Sequence, residues 1–410
     1  MTPRLAGAAR APRERLHHRG LILERISSRV EVERLRPEWE ELLGDSDAST
    51  FFLTWEWLAA WTDHLMRGEL ALLVVREEGR LIALAPFFAQ PAPLIHAIPS
   101  TRWRFLGSGT AGSDYLDLVL RRGREAQACA LIADHLAGQG VSVEMANVRG
   151  GPAGADAMVS ALEARGWRTH SREINVCPYI PLQDLTWDGY LASLGSEHRY
   201  NFNRRQKSLR RTFRVELESA STEAQREQGL TALLALHAKR WEERGGSDAF
   251  NDPALERFHH DVTRRALHRG WLRLFTLRLD GEAAASLYGI SHGGVFSFYQ
   301  SGMEPRFSTH SVGLVLMGLC IQAAIAEGAR EFDLLHGAER YKALWAPRSR
   351  AIRRLLLTPP GVRGRLAHEE ARLRQLAGAA ADRFLPAALR RRIAWWRGAD
   401  LQTPTKGGRR

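Results

Sequence analysis

The sequence predicts an α/β protein built in two halves of similar outline. Three observations lead there. At 410 residues the chain exceeds one ordinary domain. With 44% hydrophobic and 25% charged residues it has the composition of a soluble globular protein that buries a sizeable core. Each half also offers the same outline of helices, then a hairpin or meander, then a helix, then a strand. No residue-level repeat accompanies that outline.

Residues 1–20 hold Arg, Ala, Pro and Gly with little to bury, and are expected to be disordered. Val32 to Leu35 reads as a short strand, and Pro37 opens a helical pattern through Trp39, Leu42 and Leu43. Thr54 caps a helix with Leu58, Trp61 and Leu65 on one face. Glu77-Glu78-Gly79 joins two β-rich runs, Leu70–Arg76 and Arg80–Phe88, into a hairpin. Phe105–Gly109 and Tyr115–Leu120 read as further strands. A helix over 126–136, a strand over 141–147, a helix over 155–165 and a strand over 167–181 complete a first domain, 21–185.

The second domain, 186–360, starts with a helix from Trp187 and the basic run Ser196–Arg211. A strand at 213–219, a long helix over 222–244 and a helix opened by Asp252-Pro253 follow. Turns at Asp280-Gly281 and His292-Gly293-Gly294 divide a three-strand meander over 271–302. A helix at 311–327, a strand at 331–335 and a strand at 351–358 come last. Residues 361–410 form a basic tail, amphipathic in places, which suits contact with an anionic membrane surface or packing on the body.

Charge is unevenly placed. The net formal charge is +12, of which 361–410 carry +8 and 1–20 carry +4, so the body is neutral. That argues against a nucleic-acid-binding body. Cys129, Cys177 and Cys320 lie too far apart in sequence for a CxxC metal pair or a disulfide framework, and no metal site is expected. The apolar run Val312–Ala326 is too short to span a bilayer and reads as a buried helix. No secretory signal is visible, so the expected location is the cytoplasm, with the tail allowing a place at the inner face of the membrane.

Two neighbouring segments carry the chemistry. Ser311, Val312 and Gly313 open a helix, whose free N–H groups suit a pyrophosphate and equally suit an ordinary N-cap. Twenty residues on, Phe332-Asp-Leu-Leu-His-Gly-Ala-Glu-Arg-Tyr-Lys-Ala-Leu-Trp345 delivers polar groups to a strand end, where α/β folds bind ligands. Asp333 inside an apolar strand needs a partner, which Lys342 or a backbone turn can supply. Glu339 suits a base and Tyr341 an acid. The basic run from Arg199 suits phosphate, carboxylate or RNA backbone, or a solvated helix face.

In this order these residues resemble the GNAT-type acyltransferases of the BioF2-like/CelD group, distantly related to the FemAB aminoacyltransferases. The resemblance covers about Val30 to Leu357. It rests on the 332–345 motif, on Phe52, Trp55, Trp57 and Trp61, on the Arg-x-x-x-x-Arg-Arg run from Arg199, and on Leu-x-x-Leu-His-x-x-Arg-Trp241. It implies two tandem GNAT-like folds, each a mixed, mostly antiparallel sheet flanked by helices. It also implies acetyl-CoA or another acyl-CoA as donor, and an amine or hydroxyl, on a small molecule or a cell-envelope glycan, as acceptor. Under it, Ser311, Val312, Gly313 and Leu314 bind the cofactor. Asp333, Glu339, Tyr341 and Lys342 are catalytic candidates, and Arg199, Trp241 and Gly337 contact substrate. The family's glycine-rich loop is reduced here to the single Gly313, which leaves an aminoacyl-tRNA donor as the alternative. A non-catalytic partner of a membrane polysaccharide synthase is a third reading.

Overall fold

Eleven of the strands join into one sheet that crosses both halves of the chain. The computed structural model describes residues 15–18, 20–91, 101–151, 153–242 and 252–384. From one edge to the other the strands are Val215–Ser219, Leu272–Leu279, Glu282–His292, Val295–Met303, Glu331–Asp333, Arg168–Pro181, Arg348–Thr358, Ser142–Arg149, Thr101–Phe105, Phe87–Pro91 and Glu69–Leu70. A second, antiparallel sheet holds Arg15–His18, Leu21–Ile26, Leu72–Glu77, Arg80–Ala85 and Val119–Leu120. Helices flank both sheets.

Only two neighbouring pairs of the large sheet run parallel: Val295–Ser297 with Glu331–Asp333, and Arg102–Arg104 with Ser142–Glu144. Each half therefore repeats one device, an antiparallel ladder ending in a short parallel pair. The join between them crosses the chain order. Arg168–Pro181, the last strand before the second half, pairs with Glu331–Asp333 on one side and Arg348–Thr358 on the other. Arg348–Thr358, from the end of the body, pairs in turn with Ser142–Arg149.

Most elements lie where periodicity and caps place them. The Asp252 side chain accepts from the Ala254 N–H at the start of helix Pro253–His268. Thr54 caps Trp55–His64, accepting from the Trp57 N–H. Helix Val312–Ala326 buries one face from Val312 through Ala324, while Gly313 and Gln322 are exposed. Among the described residues no helix is long and apolar enough to cross a membrane.

The structure corrects several expectations. Val32 lies in a helix, Arg29–Arg34, because its side chain is buried beneath that turn; packing overrides β-branched propensity. Within the expected disordered start, Arg15–His18 pairs with Leu21–Ile26; residues 1–14 lie outside the described residues, as do 385–410 of the tail, which begins as helix Val362–Phe384. In place of the expected strand Phe105–Gly109 the strand is Thr101–Phe105, ending where the other was to begin, and the expected Tyr115–Leu120 shortens to Val119–Leu120. The chain between forms a loop, with Gly107, Gly109, Gly112 and Tyr115 at positive φ.

Gly318 lies inside Val312–Ala326 where a Cβ would come 2.2 Å from Cε2 of Phe202, on helix Ser196–Thr212. The glycine sets how closely the two helices pack. Gly318→Ala is expected to cost about 1–3 kcal/mol through overpacking, despite alanine's better helix propensity. Urea denaturation checks this; a stabilised variant would show that Phe202 moves aside freely.

Candidate active site

The strand Glu331–Asp333 is only three residues long, and its parallel pairing with Val295–Ser297 ends at Asp333. Beyond that point Val295–Met303 continues while the other chain turns away. Past Asp333 the two parallel strands are no longer paired, and the ladder between them is open at their C-terminal ends. Helix Val312–Ala326 starts at the far end of the longer strand, where a Cβ on Gly313 would lie 3.6 Å from the Met303 sulfur.

The turn after Asp333 is held from four sides. Leu335 adopts φ 54°, a left-handed conformation costing about 1–2 kcal/mol for a residue with a Cβ. Asp333 Oδ1 accepts from the Leu335 N–H at 2.7 Å, closing the turn. Lys342 Nζ donates to the carbonyl of His336 at 2.6 Å and to that of Leu335 at 3.3 Å. The Gly337 N–H donates to Val176 O, and Gly337 sits at φ 127° where a Cβ would strike the Glu339 carboxylate. Asp114, from the glycine-rich loop of the first half, accepts from the His336 backbone N–H at 2.8 Å.

These contacts present the His336 imidazole. Its Nδ1 lies 2.9 and 3.0 Å from the two oxygens of Asp114, which is fully buried, while the His336 side chain stays 27% exposed. The negative charge of Asp114 raises the imidazole pKa above its ordinary value, against the opposing effect of burial. Gly112, at φ 61°, brings its backbone against the ring: a Cβ there would lie 3.5 Å from His336 Cε1 and 3.8 Å from the Tyr299 hydroxyl. Tyr299 Oη donates to Ala111 O at 2.5 Å and lies 3.4 Å from His259 Nε2.

Behind the turn lies a second polar group. Asp333 is 1% exposed, accepts from Tyr115 Oη at 2.7 Å, and lies 3.7 Å from Arg350 Nη1. Burial pushes its carboxyl up to about 7, with Arg350 and Tyr115 pulling the other way. Arg350 also bonds Glu331 at 2.5 Å and stacks over the Tyr179 ring at 3.8 Å.

The residues singled out from sequence thus fall in different surroundings. Asp333 and Lys342 are buried on either side of the turn, without the direct Asp333–Lys342 pairing considered above; the backbone turn and Tyr115 partner Asp333 instead. Glu339 caps the short helix Arg340–Trp345 and pairs with Lys342 at 3.3 Å, its side chain 47% exposed. Tyr341 is 37% exposed on that helix. Ser311 is in the left-handed conformation and caps Val312–Ala326 without a side-chain bond. Val312 is buried, Leu314 is partly buried, and the first-turn N–H groups at 312–314 have no acceptor within an α-helix. Arg199 donates to Ala192 O on an exposed surface. Arg205, on the same basic helix, donates to Thr309 O beside the Ser311 turn. Trp241 falls on helix Glu223–Glu242, with its side chain outside the described residues.

His336 is one of the polar groups of the 332–345 motif without a role assigned from sequence, and Asp114 and Tyr115 are not among the sequence candidates. The run Gly107-Ser-Gly-Thr-Ala-Gly-Ser-Asp114 signals a loop, yet nothing local says that it reaches a residue 222 positions away. Among the described residues no group of His, Cys, Asp and Glu is arranged to hold a metal.

Residues 196–343 match the family model described as the Acetyltransferase (GNAT) domain. No curated protein matches the chain. Among solved structures, FemX is similar with a TM-score of 0.57 at 13% identity, covering 78% of this chain and 95% of that one. The C-terminal domain of a protein described as a lysylphosphatidylglycerol synthetase from Agrobacterium fabrum is similar with a TM-score of 0.51 at 12% identity, covering 84% and 97%. At these identities the likeness speaks to the fold. The domain match supports acyl transfer as the chemistry of the second half.

Proposed function

We infer that the protein transfers an acyl group from an acyl-CoA thioester to an amine or hydroxyl, with the donor lying in the opening between Val295–Met303 and the turn after Asp333. The observation that carries this reading is the parting of those two strands, inside the residues that match an acetyltransferase domain. The start of helix Val312–Ala326 stands at one end of the opening and the His336 turn near the other. From Tyr299 to Met303 the strand advances about 13 Å, room for an extended thioester arm between a phosphate at the helix and a reacting carbonyl at the turn.

The first-turn N–H groups of that helix, at its positive end, suit a pyrophosphate. Arg205 pins the preceding loop and adds positive charge beside it. The acceptor we propose is a hydroxyl or amine on a glycan or small molecule of the cell envelope, following the BioF2-like resemblance. A thermal-shift series with CoA, acetyl-CoA and longer acyl-CoA esters tests the donor. Stabilisation by the esters of about 2–4 kcal/mol at 100 to 1,000 times Kd is expected. No shift with any CoA species would overturn the reading.

A second reading, aminoacyl transfer from tRNA, is favoured by the basic helix Ser196–Thr212, which carries Arg199, Arg204, Arg205, Lys207, Arg210 and Arg211. Ribonuclease separates the two: activity that survives it and requires acyl-CoA excludes the tRNA donor.

A further inference from the structure

We propose that His336 is the general base of this acyl transfer, and that Asp114, contributed by the other half of the chain, positions it. The inference rests on the acyl-transfer reading above and deepens it by naming the group that takes the acceptor's proton.

The geometry fixes the tautomer. Asp114 is fully buried and turns both carboxylate oxygens to His336, one of them also accepting from its backbone N–H. A carboxylate only accepts, so Nδ1 of the neutral ring must carry the proton and donate it. That leaves the lone pair on Nε2, on the side of the ring away from Asp114. His336 combines a fixed orientation, an acceptor atom on Nε2 and partial exposure, whereas Glu339, also exposed, has its charge paired with Lys342. Asp333 is sealed under Tyr115, and the Lys342 ammonium is committed to two carbonyls and Glu339. Gly112 keeps the approach to the ring free of a side chain.

The step balances. The acceptor's nitrogen or oxygen attacks the thioester carbonyl carbon while its proton passes to Nε2. The new C–N or C–O bond forms, the C–S bond breaks, and the imidazolium returns that proton to the departing CoA sulfur. No oxidant, metal or further co-reactant is required. The charged and titratable groups facing the ring are Asp114, Lys342, Glu339 and the Tyr299 hydroxyl. Asp114 dominates and favours the imidazolium, so the acid limb of the rate profile is expected above the ordinary imidazole value of 6.5.

The test follows thiol release from acetyl-CoA, with ethanolamine as the acceptor probe, between pH 5.5 and 9 in the full-length protein. His336→Gln is expected to slow release roughly 100- to 10,000-fold while the thermal shift produced by acetyl-CoA persists. Asp114→Asn is expected to lower the rate and move the acid limb to lower pH, a shift that a merely structural contact would not cause. Should Asp114→Asn fail to fold, His336→Ala with added imidazole decides: partial recovery of the rate is expected. Release by His336→Gln within about threefold of the wild type, or no recovery with imidazole, overturns the proposal. If acetyl-CoA binds but its cleavage ignores His336, this inference falls alone. If acetyl-CoA neither binds nor is cleaved by the wild-type protein, the acyl-transfer reading falls with it.

Discussion

Arg350→Met is expected to cost about 3–5 kcal/mol at pH 8 and clearly less at pH 5. Arg350 is the cation between two carboxylates, bonded to Glu331 and close to Asp333, with its guanidinium against Tyr179. Methionine keeps much of the apolar stem but leaves both carboxylates without their cation. The pH dependence follows from Asp333. Its ordinary value is 3.8 and burial pushes it up to about 7 in the folded protein. A carboxyl raised in this way favours folding while protonated, and that stability is lost as pH rises between those two values. Without Arg350 the folded value rises further, so the penalty of its charge is largest above pH 7 and fades as the proton returns. Urea denaturation at the two pH values checks this. Equal losses at both would mean that Arg350 acts through its bond to Glu331 and its stacking on Tyr179, not through the charge of Asp333.

Trp57→Ala is expected to destabilise the protein by about 3–5 kcal/mol, and Trp57→Phe to cost less stability but much activity. The indole is fully buried, with ring contacts to Phe51, Phe52, Phe258 and Tyr299 at 4.9–5.7 Å. Its Nε1 donates to Ser113 Oγ at 2.8 Å, and Asn147 Nδ2 donates to Ser113 O at 2.6 Å. Ser113 precedes Asp114. Phenylalanine keeps most of the volume and drops the donor, leaving the Ser113 hydroxyl its bond to Gly107 O, a loss of about 0.5–1.5 kcal/mol. The loop that carries Asp114 then loses one of its anchors, and turnover should fall beyond what the stability change explains. Melting and thiol release measured on both variants check this. Full activity in Trp57→Phe would show that the loop stays in place without that bond.

The long elements were legible because their signals are local. Asp252-Pro253 states a helix start, Asp280-Gly281 a hairpin turn, and Thr54 a cap, and each is found there. The tandem α/β arrangement follows from the resemblance; the repeated outline only suggests it. The glycine-rich loop was misread because Phe105 and Leu116–Leu120 have strand-like composition, while the bonds that hold 106–118 in a loop come from Trp57, Asn147 and Tyr299. The site shares that difficulty. The 332–345 motif showed where polar groups gather, but half of the arrangement lies in a loop more than 200 residues earlier. The pairing of Asp114 with His336, and of Tyr115 with Asp333, exists only once the chain is folded.

The crossed order of strands in the large sheet bears on how the protein is made. Ser142–Arg149 emerges from the ribosome early, yet the strand that covers one of its edges, Arg348–Thr358, is translated last of all the strands. At about 5–20 residues per second, the gap from Arg149 to Thr358 leaves that edge uncovered for on the order of 10–40 s. An unpaired strand edge is a template for pairing with other chains. Polysomes crowded with such nascent chains are therefore where the protein most needs a chaperone, and slowed translation of its second half should lower its soluble yield.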